Sequence, residues 1–209
     1  MDSATWDERY AAADLVWSVE PNQWVVELIG SLSPGKALDL AAGEGRNALW
    51  LVEQGWQVTA VDFSGVAVER MQQLAAARLG ERASALTAVV GDATEPQGSG
   101  MDLVLLSYLH LPDEQWRRAV IAAVDACRPG GRLVIIGHAR RNLTEGCGGP
   151  QDPAILRDPD DLRASLADLP VSIDSAEIRR RRVPTEAGTR IALDTVLVAT
   201  VGTATGTGT

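Results

Sequence analysis

The sequence predicts an α/β fold: a doubly wound, mostly parallel sheet of seven strands that closes on a C-terminal antiparallel hairpin. Three observations predict it. Apolar strand-like runs alternate with helical periodicity between Lys36 and Leu169. A turn carrying Gly43 and Gly45 follows the first run at once, and Asp62 arrives 19 residues after Gly43, at the end of the second run. Two β-rich runs, residues 172–183 and 189–201, end the pattern with only residues 184–188 between them.

Each element has its own signal. Residues 1–30 read as a helical preface with Trp6, Tyr10, Leu15 and Trp17, interrupted at Pro21. Asn22 is placed to cap a helix that runs through Ile29. Trp6, Trp17 and Trp24 either pack this preface onto the domain or wall a pocket as a lid. Ser33-Pro34-Gly35 breaks into the first strand, residues 37–40, which holds one acid, Asp39. Residues 46–54 set Leu49, Leu51 and Val52 against Arg46, Asn47, Glu53 and Gln54, the pattern of a short amphipathic helix that Gly55 ends. Residues 57–61 form the second strand. Ser64 caps a helix over 65–79, and Leu86–Val90 is the third strand, ending in Gly91-Asp92-Ala93.

Residues 101–108 are almost continuously apolar, as a central strand buried on both faces must be. A helix starts at Pro112-Asp113 and reaches about Cys127. Arg128-Pro129-Gly130-Gly131 is a tight turn before the fifth strand, residues 132–138. The polar, glycine-rich loop 139–153 is long for a connector, which suits a functional loop. Residues 159–169 form the last helix. The tail, residues 202–209, is low in complexity and expected to be disordered. One domain over residues 1–201 accounts for everything, with 1–35 as its preface.

Composition narrows the function classes. The chain has 209 residues, 45% of them hydrophobic, enough for one real core. A net charge of −9 argues against general affinity for nucleic acid or an anionic membrane. No apolar run approaches the roughly 20 residues that cross a bilayer. The N-terminus lacks the pattern of a secretory signal. Cys127 and Cys147 lack metal spacing, and two cysteines make no disulfide framework. The expectation is a cytoplasmic protein with free thiols and no metal.

In an open α/β sheet, ligands sit at the carboxyl ends of the strands. There the sequence places Asp39 to Gly45, Asp62-Phe63, Asp92-Ala93, Ser107 to His110, and His138 to Asn142. The turn reads Asp39-x-Ala41-x-Gly43-x-Gly45, without the third glycine that dinucleotide sites favour. An acid at that strand end would repel a pyrophosphate. It suits a ligand with an ammonium or a sulfonium.

On these residues the sequence resembles the class I S-adenosylmethionine (SAM) dependent methyltransferases, over about residues 36–138. The resemblance implies their Rossmann-like fold, SAM as cofactor and roles by position. Ala41, Gly43 and Gly45 would wrap the methionine portion, with Asp39 near its ammonium and Arg46 meeting its carboxylate. Asp62 would take the ribose hydroxyls and Phe63 the adenine face. Asp92 and the Ala93 amide would read the adenine edge, and Ser107 would line the same pocket. The glycine usual at position 41 is here an alanine. LDLAAGEGRNALWLVEQGW with the preceding WDERY is similar to the small tellurite-resistance and thiopurine-type branch, which acts on soft nucleophiles such as thiols and chalcogen oxyanions.

Plainer readings stand beside these. Asp62 caps the next helix, Asp92 forms a turn, and Arg46 is a solvated helix residue. The run Arg179–Arg182 is a solvated edge that resists strand pairing, or else it binds a substrate anion. For catalysis, the chain has two histidines, His110 and His138, both at strand ends. A hydroxyl or amine acceptor would want one as base, whereas a soft anion needs none. Otherwise they are satisfied by loop backbone. Tyr108, Arg140, Arg141 and Asn142 are candidates for holding a polar acceptor, and Cys147 is incidental. The expected partner is a small-molecule methyl acceptor. Competing classes are an NAD(P)-dependent oxidoreductase and a non-catalytic SAM-binding protein.

Overall fold

The computed structural model describes Asp7, residues 20–185 and residues 188–203. The readings of Trp6, Tyr10, Leu15, Trp17 and residues 204–209 lie outside those residues. In chain order the elements are α1 (Gln23–Ile29), β1 (Lys36–Leu40), α2 (Arg46–Glu53), β2 (Gln57–Asp62), α3 (Gly65–Leu79) and β3 (Leu86–Val90). Then come β4 (Met101–Ser107), α4 (Asp113–Ala126), β5 (Cys127–His138), α5 (Asn142–Glu145), α6 (Pro159–Leu166), β6 (Val171–Thr185) and β7 (Gly188–Val201).

The caps read from the sequence are in place. The Asn22 side chain accepts the Trp24 N–H at 2.8 Å, and Ser64 Oγ accepts the Ala67 N–H at 3.1 Å. Asp7 adds a second cap on α3: the Ser64 hydroxyl donates to its carboxylate, and the Val66 N–H points at the same oxygen.

The seven strands lie in the order β3-β2-β1-β4-β5-β7-β6. β1 to β5 pair in parallel, while β7 runs antiparallel to both β5 and β6. Winding reverses between β1 and β4, so the crevice for a ligand opens at their carboxyl ends. Helices α1, α2 and α3 cover one face through Trp24, Leu49, Leu51 and Met71, joined by Trp56 from the connection before β2. Helices α4 and α6 cover the other through Trp116, Val120, Leu162 and Leu166. In β4, Leu103, Val104, Leu105 and Leu106 are all fully buried, as their unbroken apolar run requires.

Several boundaries differ from the sequence reading. The last helix stops at Leu166, and β5 takes in the Arg128–Gly131 turn, where a register shift opposite Met101 and Leu103 absorbs it. The hairpin is longer than expected. Pro184 pairs with Thr189 inside it, because β6 is an edge strand where a missing N–H costs no ladder bond. Loop 139–153 contains the single turn α5 and is not structureless.

Candidate functional site

Two groups of side chains meet at the carboxyl edge of the sheet. The first is built from one short stretch. Ala41 and Gly43 both have φ 58°, and Gly45 has φ 85°. Three left-handed residues in five coil the backbone tightly after β1. Gly45 is also pinned from outside, because a Cβ there would run into the Met71 side chain. Ala41 holds its conformation against a steric cost of about 1–2 kcal/mol.

Asp62 ties this turn to β2. Its Oδ2 accepts the Gly43 N–H at 2.7 Å and its Oδ1 accepts the Ser64 N–H at 3.0 Å. Burial raises its pKa, the two amide bonds lower it in part, and nearby Asp7 raises it again. Phe63 beside it is exposed, as is Val90, which pairs with Asp62 across the β2–β3 ladder. They put two apolar surfaces at neighbouring strand ends. Asp92 is exposed, and its Oδ1 accepts the Thr94 N–H at 2.8 Å, the geometry of the plainer turn reading; Ala93 is buried.

Asp39 is 1% exposed, and neither carboxylate oxygen makes a hydrogen bond among the described residues. Burial drives its pKa up to about 7, against the Arg46 charge, which lowers it; Asp62 adds a smaller upward push. The Ala48 N–H also lowers it, from outside ordinary hydrogen-bond geometry. Across β4, the buried Ser107 Oγ also lacks a partner.

The second group is drawn from distant parts of the chain. At its centre lies Asp194 on β7, wholly buried. Its Oδ2 accepts from Trp24 Nε1 at 2.9 Å, the Tyr108 hydroxyl at 2.9 Å and Arg181 Nε at 2.6 Å, and its Oδ1 takes an Arg181 N–H at 3.3 Å. Tyr108 has φ 58°, and its hydroxyl also accepts from Asn22 Nδ2 at 3.0 Å. Burial and the Asp194 charge push the phenol pKa up, so it stays a proton donor fixed on Asp194. Two guanidiniums lie over the Tyr108 ring, Arg46 at 5.7 Å and Arg181 at 5.6 Å from its centroid. Burial, then the opposing Tyr108 and Arg181 influences, leave Arg46 with a lowered pKa. Burial works against the Arg181 charge too, but the Asp194 bond overrides it.

His138 lies 4.8 Å from Tyr108 and 5.3 Å from His110, centroid to centroid. His110, expected as a candidate base, stands in this cluster. Burial, then the neighbouring His138 and Arg157, hold its pKa down to about 3, and its Nε2 takes the His138 N–H at 3.4 Å. Burial lowers the His138 pKa as well, and its Nδ1 is buried without a partner among the described residues. Against the other edge of that ring lies Gly149, where a Cβ would stand 2.7 Å from a ring carbon.

Other candidates are drawn elsewhere. Arg140 is half-exposed, pairs with Asp161 at 3.0 Å and donates to the Leu156 carbonyl at 3.0 Å, which braces the loop on α6. Arg141 pairs with Glu145 one turn on. Asn142 pins the loop: its Oδ1 accepts the Leu193 N–H at 2.7 Å and its Nδ2 donates to the Gly148 carbonyl at 2.8 Å. The arginine run splits by strand alternation. Arg180 and Arg182 face solvent, Arg179 stacks 5.3 Å from Trp24 and pairs with Glu27, and Arg181 points inward, so an edge reading fails for half of it. Sequence reasoning missed Asp194 and the role of Asn22. The available signal was one acid inside the otherwise apolar run 191–201.

Residues 37–131 match the family model described as a methyltransferase domain. Glycine N-methyltransferase of Rattus norvegicus is 30% identical over 152 residues, 64% of this chain and 50% of that protein. The chain thus spans about half the length of the curated relatives it matches. Among solved structures, one from work on the conversion of a disulfide bond into a thioacetal group during echinomycin biosynthesis aligns with a TM-score of 0.77 at 23% identity, covering 96% of this chain and 91% of that one. TehB from Haemophilus influenzae aligns with a TM-score of 0.68 at 17% identity, covering 95% of this chain and 66% of that one. Residues 37–131 are thus similar to a methyltransferase domain, and the chain shares its fold with these solved structures.

Proposed function

We propose that this chain binds SAM at the carboxyl ends of β1 and β2 and transfers its methyl group to a small molecule held beside Tyr108 and His138. One observation carries the reading. The buried polar atoms without partners among the described residues are both Asp39 carboxylate oxygens, Ser107 Oγ and His138 Nδ1. All four lie at or next to the carboxyl ends of adjacent strands β1, β4 and β5. Buried polar groups are almost always satisfied, so exceptions clustered in one crevice mark where a polar ligand enters.

The residues present fit SAM. Asp39 has two free acceptor oxygens for an ammonium, Asp62 has acceptor capacity beyond its two amide bonds, and Phe63 and Val90 offer apolar surface to a purine. Arg46 is the cation for the methionine carboxylate. Bound SAM supplies a methyl group already activated by its sulfonium. The chain's part is alignment and exclusion of water. Burial lowers the pKa of both histidines, which weakens each as a base for a hydroxyl. That favours an acceptor that is nucleophilic unaided, such as a thiolate or a chalcogen oxyanion.

Calorimetric titration with S-adenosylhomocysteine, with NAD in parallel, tests the cofactor. Binding of the former and silence from the latter is expected. Asp62→Ala should weaken that binding by about 50-fold, the worth of hydrogen bonds to a charged group. Undiminished affinity in the variant would remove Asp62 from the ribose site.

A further inference from the structure

Arg181 emerges from β6, on the far side of Tyr108 from the glycine turn in the chain's path. Its Nε and one terminal nitrogen face Asp194, at 2.6 and 3.3 Å. Its other terminal nitrogen has no hydrogen bond of ordinary geometry among the described residues, the Tyr108 hydroxyl bears on the group as well, and the side chain keeps 22% of its surface exposed. Asp194 buttresses the arginine without using it up. That one carboxylate also serves the Trp24 indole and the Tyr108 hydroxyl, so its charge is spread over three partners. A second cation, Arg46, lies over the same ring. Two guanidiniums thus flank the Tyr108 ring beside His138, whose Nδ1 has no partner among the described residues, and one of them is held by the wholly buried Asp194. A guanidinium locked along one edge, with the other edge presented to a crevice, is preorganised for an oxyanion.

We infer that Arg181 binds an anionic oxygen group of the methyl acceptor, and that the acceptor is therefore a small anion. The inference rests on the methyl-transfer reading and names the acceptor's chemistry. The anionic oxygens come either from a carboxylate carried by a thiol or from a chalcogen oxyanion itself. Arg46 remains with the cofactor, because it opens α2 right after the glycine turn, whereas Arg181 reaches the crevice from the sheet's outer edge.

The test compares 3-mercaptopropionate, 3-mercaptopropionamide and selenite as calorimetric titrants, with and without saturating S-adenosylhomocysteine. At least one anion should bind 10-fold or more tightly than the amide. Binding by mercaptopropionate alone identifies a carboxylate-bearing thiol, and binding by selenite identifies the oxyanion. Arg181→Met should erase the preference while S-adenosylhomocysteine affinity stays within twofold, and Arg181→Lys should restore part of it. A merely structural arginine would move both affinities together. Because Arg181→Met strands a buried carboxylate, the paired variant with Asp194→Asn is measured alongside. Equal or absent binding of anions and amide overturns the inference, as does a preference that survives loss of Arg181. A wild-type protein silent to S-adenosylhomocysteine, yet still selecting anions through Arg181, would defeat the cofactor reading and leave the anion site standing.

Discussion

The proposed cofactor half and the proposed acceptor half of the site are built by opposite means. The first comes from one span of chain: Asp39, the glycine turn, Arg46 and Asp62 lie within 24 consecutive positions, and the tie between Gly43 and Asp62 bridges only 19. The second has no local span at all. Trp24 reaches Asp194 across 170 positions, Tyr108 across 86, and only Arg181, at 13, is near in sequence. The first half leaves carboxylate oxygens unpaired, while the second pairs its carboxylate fourfold. One half is arranged to receive a ligand's cation, the other to hold its own cation rigid.

Four experiments would break or sharpen that contrast. Asp194→Ala should have the largest effect. It leaves a buried guanidinium, a phenol and an indole N–H without their acceptor, at a cost of about 3–5 kcal/mol. Chemical denaturation measures this, and a loss under about 1 kcal/mol would mean that the hub is not a unit.

The second is the pH dependence of stability. In the cofactor half, the folded pKa of Asp39 is raised to about 7 from 3.8. Its stabilising influence is therefore full below pH 4 and is lost as pH rises through 7, by at most about 4 kcal/mol. In the acceptor half, His110 is lowered from 6.5 to about 3, so its influence is full above pH 6.5 and is lost as pH falls toward 3. Asp39→Asn should flatten the neutral side of the ligand-free stability profile and leave the acid side sloped. Unchanged slopes in both limbs would refute the assignment.

Third, Gly149→Ala places a methyl group against the His138 ring in a backbone conformation with φ 78°. KM for the acceptor should rise about 10-fold, roughly 1.4 kcal/mol, with little change in S-adenosylhomocysteine affinity. Equal shifts in both would show that the halves are not separable. Smallest is Ala41→Gly. It relieves the φ 58° strain and loses some unfolded-state restriction, for a net gain of about 0.5 kcal/mol. Thermal unfolding reads it, and a loss of stability would show that the alanine methyl packs to advantage.

The same contrast decides what the sequence could disclose. The strand–helix alternation, the caps at Asn22 and Ser64, the glycine turn and Asp62 all follow from spacings no longer than a helix-strand unit. Asp194 was invisible as a hub because its partners come from three separated elements, and a lone acid in a strand carries no sign of what it will meet. His110 read as a base because histidines at strand ends are suggestive. Burial beside another histidine and Arg157 lowers its pKa, a matter of packing that the sequence does not carry. Arg181 was hidden inside a run whose alternate members do face water.

The methyltransferase-domain match ends at residue 131, ahead of His138, Arg181 and Asp194. The antiparallel hairpin that carries the last two is also the outermost part of the sheet. Rewriting β6 and β7 therefore touches none of the strands that hold the glycine turn and Asp62. On the proposed reading, that makes the hairpin a cassette for an engineer: libraries at its inward positions would vary acceptor choice while the strands proposed to hold the donor stay as they are.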